Sequence, residues 1–153
     1  MPHKPSPSRR HVLGLAATGA TAMLALPTAA LATPEKVAEE IKKLYGDKKL
    51  MPGKIKLDLP SIAENGLVVP LGFEVESPMT DKDFVKAVHF FAEGNPSVGV
   101  ASFHFTSMIP KASAAIRIRL AKTQEIVAVA EMSNGDLYTA RKEVKVTIGG
   151  CGG

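Results

Sequence analysis

The only cysteine in the chain, Cys151, stands among four glycines at the carboxyl end, in Gly149-Gly150-Cys151-Gly152-Gly153. Glycine has no Cβ, so the stretch has wide backbone freedom and nothing to bury, and a terminus built this way is expected to be mobile and exposed. Structural cysteines are usually buried. This one is delivered to solvent on a tether, the arrangement expected when the thiol itself is the working part. The working species would be the thiolate, the nucleophilic form of cysteine. The nearest charged side chains in sequence, Glu143 and Lys145, lie several residues back. No local group is therefore in place to lower a thiol from its ordinary pKa of about 8.5. Activation would come from a partner's site into which the tail reaches. An extended backbone from Gly149 to Cys151 spans roughly 7–10 Å, enough to enter a narrow channel.

The amino terminus indicates where that thiol operates. Arg9 and Arg10 form a twin-arginine pair, followed by a weakly apolar stretch from Val12 to Leu31 that ends in Ala30-Leu31-Ala32. A twin-arginine pair, an apolar stretch and a small-x-small cleavage signature read as a bacterial twin-arginine export signal, residues 1–32, cleaved after Ala32. Pro27 and several glycines and threonines interrupt the stretch, so it lacks the sustained run of about 20 apolar residues of a spanning helix. No membrane association is expected after cleavage, and with no cysteine near the cleavage point no lipid anchor is expected either. The leader holds three of the 19 basic side chains, Lys4, Arg9 and Arg10, and none of the 15 acidic ones, leaving 16 against 15, a net of +1. The basic balance of the whole chain thus belongs largely to the leader. Nothing remains to suggest a nucleic-acid partner, and no arginine-rich face with interleaved aromatics is present.

Export to an oxidising compartment, the periplasm, makes the cysteine count informative. Small exported domains use disulfides in even numbers, and a leftover cysteine suggests intermolecular pairing or a free reactive thiol. A single cysteine forms no internal disulfide, so Thr33 onward must hold its fold by core packing, which its length allows for one domain.

The elements that must position the tail are mostly strands. Thr33 as N-cap, Pro34 in the first turn and Glu35 near the positive end of the dipole start a short helix. Val37, Ile41, Leu44 and Tyr45 recur at helical spacing and Gly46 ends it. Packing on its own domain is the default for such a stripe. Beyond the helix the period becomes two: Ile55 to Leu59, Val69 to Val75, Ala101 to Phe105, Ile116 to Leu120 and Val144 to Ile148 alternate apolar with polar, as one-sided strands of antiparallel sheets do. Val85 to Ala92 and Ile126 to Ala130 are more apolar throughout and fit central strands or an interface, and the runs Val85–Ala92 and Ile126–Met132 are candidates for a partner-binding surface. Turn residues separate the runs at Glu64-Asn65-Gly66, Gly94-Asn95-Pro96 and Ser133-Asn134-Gly135-Asp136, the last a strong hairpin signal. Seven or eight short strands without intervening helices indicate a mainly β chain, an immunoglobulin-like antiparallel β-sandwich over residues 33–148 with a short N-terminal helix and a flexible C-terminal arm, residues 149–153.

The ending Val144-Lys145-Val146-Thr147-Ile148-Gly149-Gly150-Cys151-Gly152-Gly153 resembles the carboxyl terminus of the SoxY family, the sulfur carriers of bacterial thiosulfate oxidation, which end in the same Gly-Gly-Cys-Gly-Gly after a final strand. The resemblance extends through Ser77-Pro78-Met79-Thr80, Phe90-Phe91-Ala92-Glu93-Gly94-Asn95-Pro96, Ile118-Arg119-Leu120-Ala121-Lys122-Thr123-Gln124 and Val127-Ala128-Val129-Ala130-Glu131-Met132-Ser133. It implies a covalent carrier rather than an enzyme, with no cofactor of its own and with sulfur intermediates attached to Cys151. A c-type cytochrome would couple thiosulfate oxidatively to the thiol, giving a cysteine S-thiosulfonate. A hydrolase would remove the terminal sulfone as sulfate, and a sulfane dehydrogenase, where present, would oxidise the remaining sulfur. The resemblance also implies a heterodimer with a SoxZ-like subunit, which has no export signal and would be carried out with the folded chain. The residues themselves offer no catalytic apparatus: no His–Cys neighbour, no paired carboxylates at a recognisable motif, no phosphate-binding loop.

Two rival chemistries use the same residues. A β-sandwich with His89, His104 and Cys151 suggests a copper electron-transfer site, which needs a fixed His₂Cys set with a weak axial ligand. A tail with only two glycines after the cysteine is a poor rigid ligand. The terminal Gly152-Gly153 pair is similar to the ends of ubiquitin-like sulfur carriers, which load sulfur on the terminal carboxylate. That activation uses ATP in the cytosol, contrary to the export leader, and belongs to a smaller fold with fewer strands.

Overall fold

A computed structural model describes residues 31–149. One helix, α1 (Pro34–Tyr45), precedes nine strands: β1 (Leu50–Pro52), β2 (Ile55–Asp58), β3 (Ile62–Asn65), β4 (Val69–Val75), β5 (Val85–Ala92), β6 (Gly99–His104), β7 (Ala112–Ile118), β8 (Gln124–Met132) and β9 (Leu137–Ile148). They form two packed sheets. The larger has the order β1-β9-β8-β5-β6 with β3 also on β9, and the smaller has the order β2-β4-β7. This is the expected immunoglobulin-like β-sandwich. No helix among the described residues is long and apolar enough to cross a membrane.

The period-two runs bury one face as anticipated: Val69, Leu71, Phe73 and Val75 of β4 all point inward, as alternation along a strand requires. Phe73 meets Phe90 of β5 and Phe103 of β6 across the interior, both at a ring separation of 5.0 Å, within the range in which tilted aromatic pairs add to burial. The two more apolar runs, the first of them carrying Lys86 and His89, are the innermost strands of the larger sheet. Ile126, Ala128 and Ala130 face the smaller sheet. Val127 and Val129, with Phe91, lie under Val37 and Ile41 of α1. A strand covered on both faces has no reason to alternate. The Val85–Ala92 and Ile126–Met132 runs are therefore core, not the partner surface their composition suggested. Helix and sheet are joined as the caps indicated: the Thr33 hydroxyl accepts from the Lys36 N–H at 3.4 Å, and Gly46 N–H closes on the Lys42 carbonyl at 2.8 Å.

Strands β1 and β3 differ from expectation. Both run parallel to β9, pairing Leu50–Pro52 with Leu137–Thr139 and Ile62–Asn65 with Lys145–Ile148. They cover two stretches of one edge of β9. Its other edge is filled by β8 through the Ser133-Asn134-Gly135-Asp136 hairpin, whose Gly135 N–H donates to the Met132 carbonyl at 3.0 Å. The strand that leads to the tail is thus tied on both sides along much of its length.

Candidate functional site

Strand β9 ends at Ile148 and delivers Gly149 to one end of the sandwich. Gly150, Cys151, Gly152 and Gly153, like Arg9 and Arg10, lie outside the described residues. What the structure does define is the root from which the cysteine leaves. On one side, the Ile148 carbonyl accepts from Gly66 N–H at 2.8 Å, and the Gly66 carbonyl accepts from Leu120 N–H at 2.7 Å. On the other, the Thr123 hydroxyl accepts from Val146 N–H at 2.9 Å. A Cβ built on Gly149 would collide with the carbonyl oxygen of Ala121. Gly149 is therefore required by close backbone approach and does more than loosen the chain. Beyond this point Gly150 and Cys151 add at most roughly 7 Å of extended backbone. Gly149→Ala is expected to force Ile148 or the Ala121 loop aside and to cost about 1–3 kcal/mol, the usual range for overpacking. Urea melts of the variant against Gly150→Ala, expected to be within about 0.5 kcal/mol of the unaltered chain, check it.

The loop that touches Gly149, residues 119–123, has no regular hydrogen-bond ladder of its own. A polar cluster builds it instead. Asn95 Nδ2 donates to the Arg119 carbonyl at 2.8 Å, and Asn95 Oδ1 accepts from Ala121 N–H at 2.9 Å and from Gln124 Nε2 at 2.8 Å. Gln124 Nε2 also donates to the Lys122 carbonyl at 3.1 Å, and its Oε1 accepts from Gly94 N–H at 2.8 Å. Gln124 is the one buried polar residue of the described chain, 6% exposed, and it is satisfied at both ends of its amide, as a buried polar group must be. A Cβ at Gly94 would come within 3.1 Å of the Gln124 Cβ, so the turn and the glutamine are fitted to each other. Ala32 N–H donates to the Asn95 carbonyl at 2.7 Å, a bond that processing after Ala32 would remove. Two segments far apart in sequence, Glu93–Pro96 and Arg119–Gln124, thus meet under the root of the tail. Gly94-Asn95-Pro96 read only as a turn in the sequence. The available signal was a glutamine opening an otherwise apolar strand in the register of the buried face.

The histidines are elsewhere. His89 and His104 sit on neighbouring strands with ring centroids 5.8 Å apart, and His89 Nδ1 lies 2.7 Å from the Ser102 hydroxyl. Burial, and then His104, hold the His89 imidazole below its ordinary pKa, the behaviour of a packed neutral histidine. His89 stands opposite Val129, which stands opposite Thr139. From Thr139 to Gly149 the strand runs about 33 Å at ~3.3 Å per residue, and two further residues bring the thiol back by only about 7 Å. Cys151 cannot complete a His₂Cys set with this pair. Among the described residues no group of three or more His, Cys, Asp or Glu is placed to hold a metal ion.

The architecture defines a class, an immunoglobulin-like β-sandwich whose last strand is anchored up to Gly149, two residues before the glycine-flanked Cys151. The family model described as "Sulfur oxidation protein SoxY" matches residues 41–151, a span that ends on Cys151 itself. The chain belongs to the SoxY family, and with it to the Sox system of sulfur oxidation. It is similar in structure to the sulfur carrier protein SoxY from Chlorobium limicola f thiosulfatophilum, with 33% identity over 74% of this chain and 98% of that one, at a TM-score of 0.63. A superoxide reductase (neelaredoxin) from Ignicoccus hospitalis, 20% identical over 76% of this chain and 94% of its own, has a TM-score of 0.55. That second likeness is one of fold alone. No curated protein matches the sequence.

Proposed function

We propose that the chain is a periplasmic sulfur carrier that holds thiosulfate-derived intermediates on Cys151 and presents them in turn to the enzymes of the Sox system. The observation that carries this reading is the family match running through Cys151, beyond a strand whose end is fixed at Gly149. In the first step the Cys151 thiolate forms a bond to the sulfane sulfur of thiosulfate, giving Cys–S–S–SO₃⁻, and two electrons pass to a c-type cytochrome. Water then cleaves the bond to the sulfone group, releasing sulfate and leaving the persulfide. A sulfane dehydrogenase, where the host has one, adds three oxygens from water with loss of six electrons, and a second hydrolysis restores the thiol. The chain contributes no catalytic group to these steps and no cofactor. It contributes one attachment atom, a short side-chain-free lead, and a body that partners recognise. Tethering keeps successive reactions local instead of dependent on diffusion of a free intermediate. Twin-arginine export through Arg9 and Arg10 would carry the folded chain out together with a SoxZ-like subunit.

Intact-mass analysis of the periplasmic protein during thiosulfate oxidation, before and after reduction, tests the reading. Reducible sulfur-containing increments that map to the C-terminal peptide are the expected result. An unmodified tail during active turnover would overturn it.

A further inference from the structure

The residues that join the leader to the body are part of the body. Ala32 is 3% exposed, and its N–H donates to the Asn95 carbonyl at 2.7 Å. The Leu31 carbonyl accepts from Lys36 Nζ at 3.0 Å. Thr33 follows at once as the N-cap of α1, and its carbonyl accepts from the N–H of the buried Val37 at 3.0 Å. A protease takes its substrate as a locally unfolded segment, and a leader-removing protease reads small side chains on the amino side of the bond it cuts. Cutting after Ala32 would require the buried Ala32 side chain to leave the body for the protease, with the cap of α1 pulled along. Twin-arginine export carries folded cargo, so the fold already stands against that cut when the leader is removed. The same cut would put a new α-ammonium on Thr33, at the positive end of the helix dipole.

Thr28-Ala29-Ala30 is a second small-x-small triplet, two residues upstream. We infer that the leader is cut after Ala30, so that the mature chain begins at Leu31 and keeps Leu31-Ala32 as a clasp between the start of α1 and the Asn95 turn. The cut so placed lies two residues ahead of the one that Ala30-Leu31-Ala32 suggests, and it rests on the export reading above. Leu31, 38% exposed and bonded at its carbonyl by a surface hydrogen bond, can yield to the protease without drawing Ala32 out of the body. The α-ammonium then lies two residues ahead of the cap, beyond the first turn of α1, where the dipole is weakly felt. The retained pair also has a structural task. Asn95 is the residue whose side chain holds Arg119, Ala121 and Gln124 beneath the root of the tail, and the Ala32 bond ties down its backbone. Removal of the leader ahead of Leu31 thus leaves the footing of the tail intact.

Amino-terminal sequencing and intact-mass measurement of the chain purified from the periplasm test this. The expected first residue is Leu31, with a mass greater by one leucine and one alanine residue than that of a chain starting at Thr33. Any other first residue, Thr33 included, would overturn the inference. Ala32→Glu supplies an independent reading, because a large charged side chain immediately before the cut blocks processing. The variant should be processed to Leu31 as fully as the unaltered chain, with a lowered Tm from the charge placed at a buried site. Should it not fold, Ala32→Leu replaces it with the same processing expected. Loss of processing in a folded Ala32 variant would place the cut after Ala32 and overturn the inference. A folded chain that never leaves the cytoplasm would instead overturn the export reading itself.

Discussion

Cys151→Ser is expected to abolish thiosulfate-dependent loading of the protein, and with it thiosulfate-driven reduction of the partner cytochrome, to background. A serine hydroxyl is a weak nucleophile unless a neighbouring base removes its proton, and the nearest ionisable side chains in sequence, Glu143 and Lys145, lie on β9 behind the root. Sulfur-to-sulfur bonding also allows each intermediate to be built and cleaved at the same atom, which an oxygen cannot replace. Because Cys151 is two residues past the Gly149 contact with Ala121, the substitution should leave the thermal midpoint of the body unaltered. Loading is read by intact mass and electron transfer by the cytochrome spectrum. The thiocarboxylate alternative makes the opposite forecast: with Gly152 and Gly153 intact, sulfur would still load on the Ser variant. Retained loading would therefore move the attachment point to the terminal carboxylate.

Gln124→Ala should cost about 2–4 kcal/mol of stability. The substitution leaves Gly94 N–H without its acceptor and the Lys122 carbonyl without its donor, and takes one partner from Asn95 Oδ1. Each buried polar group stripped of its partner costs about 1–3 kcal/mol, and the missing methylene and amide add a small cavity. For a domain of this length the loss corresponds to roughly 6–20 °C in Tm. Lys122→Ala, at an exposed neighbour, should stay within about 0.5 kcal/mol. Because the same cluster holds the Ala121 carbonyl against Gly149, the Gln124 variant should also increase hydrogen exchange at Val146, whose N–H is bonded by Thr123. A loss below about 1 kcal/mol would mean that the loop is held by other contacts.

The pattern of β4 was legible because one face alone is buried over seven residues, so the period is expressed long enough to be read. The same reasoning recovered the two central strands from their greater apolarity, though not what covered their second face. Val127 and Val129 could equally have met a partner, and only the placement of α1 over them decides. Strands β1 and β3 were illegible for a different reason. Three or four residues are too few to establish a period, and both pair with β9 across more than 75 positions of sequence, as Leu50 with Leu137 and Ile62 with Lys145. The role proposed for Cys151 rests on the count of cysteines and the glycines beside it, and the residue lies outside the described chain. The role of Gly149 was only half readable, since conformational freedom is a property of the residue whereas contact with Ala121 is a property of the fold. Asn95 and Gln124 carried no chemical signature, because their work is to satisfy backbone groups of a loop brought to them from elsewhere.

The two short parallel partners of β9 leave a gap. Between Thr139 and Lys145, residues 140–144 pair with no strand on that side among the described residues, although β2 passes close to β9. An open edge on a long strand is a template for another chain to add to, and natural sheets guard such edges with charge. Here the gap carries Arg141, Lys142 and Glu143 in succession. Arg141 is drawn onto Glu93 and Glu125 at 3.0 Å each. Charge in this gap disfavours edge-to-edge addition of a second copy, which makes the strand that leads to the tail a poor seed for sheet growth.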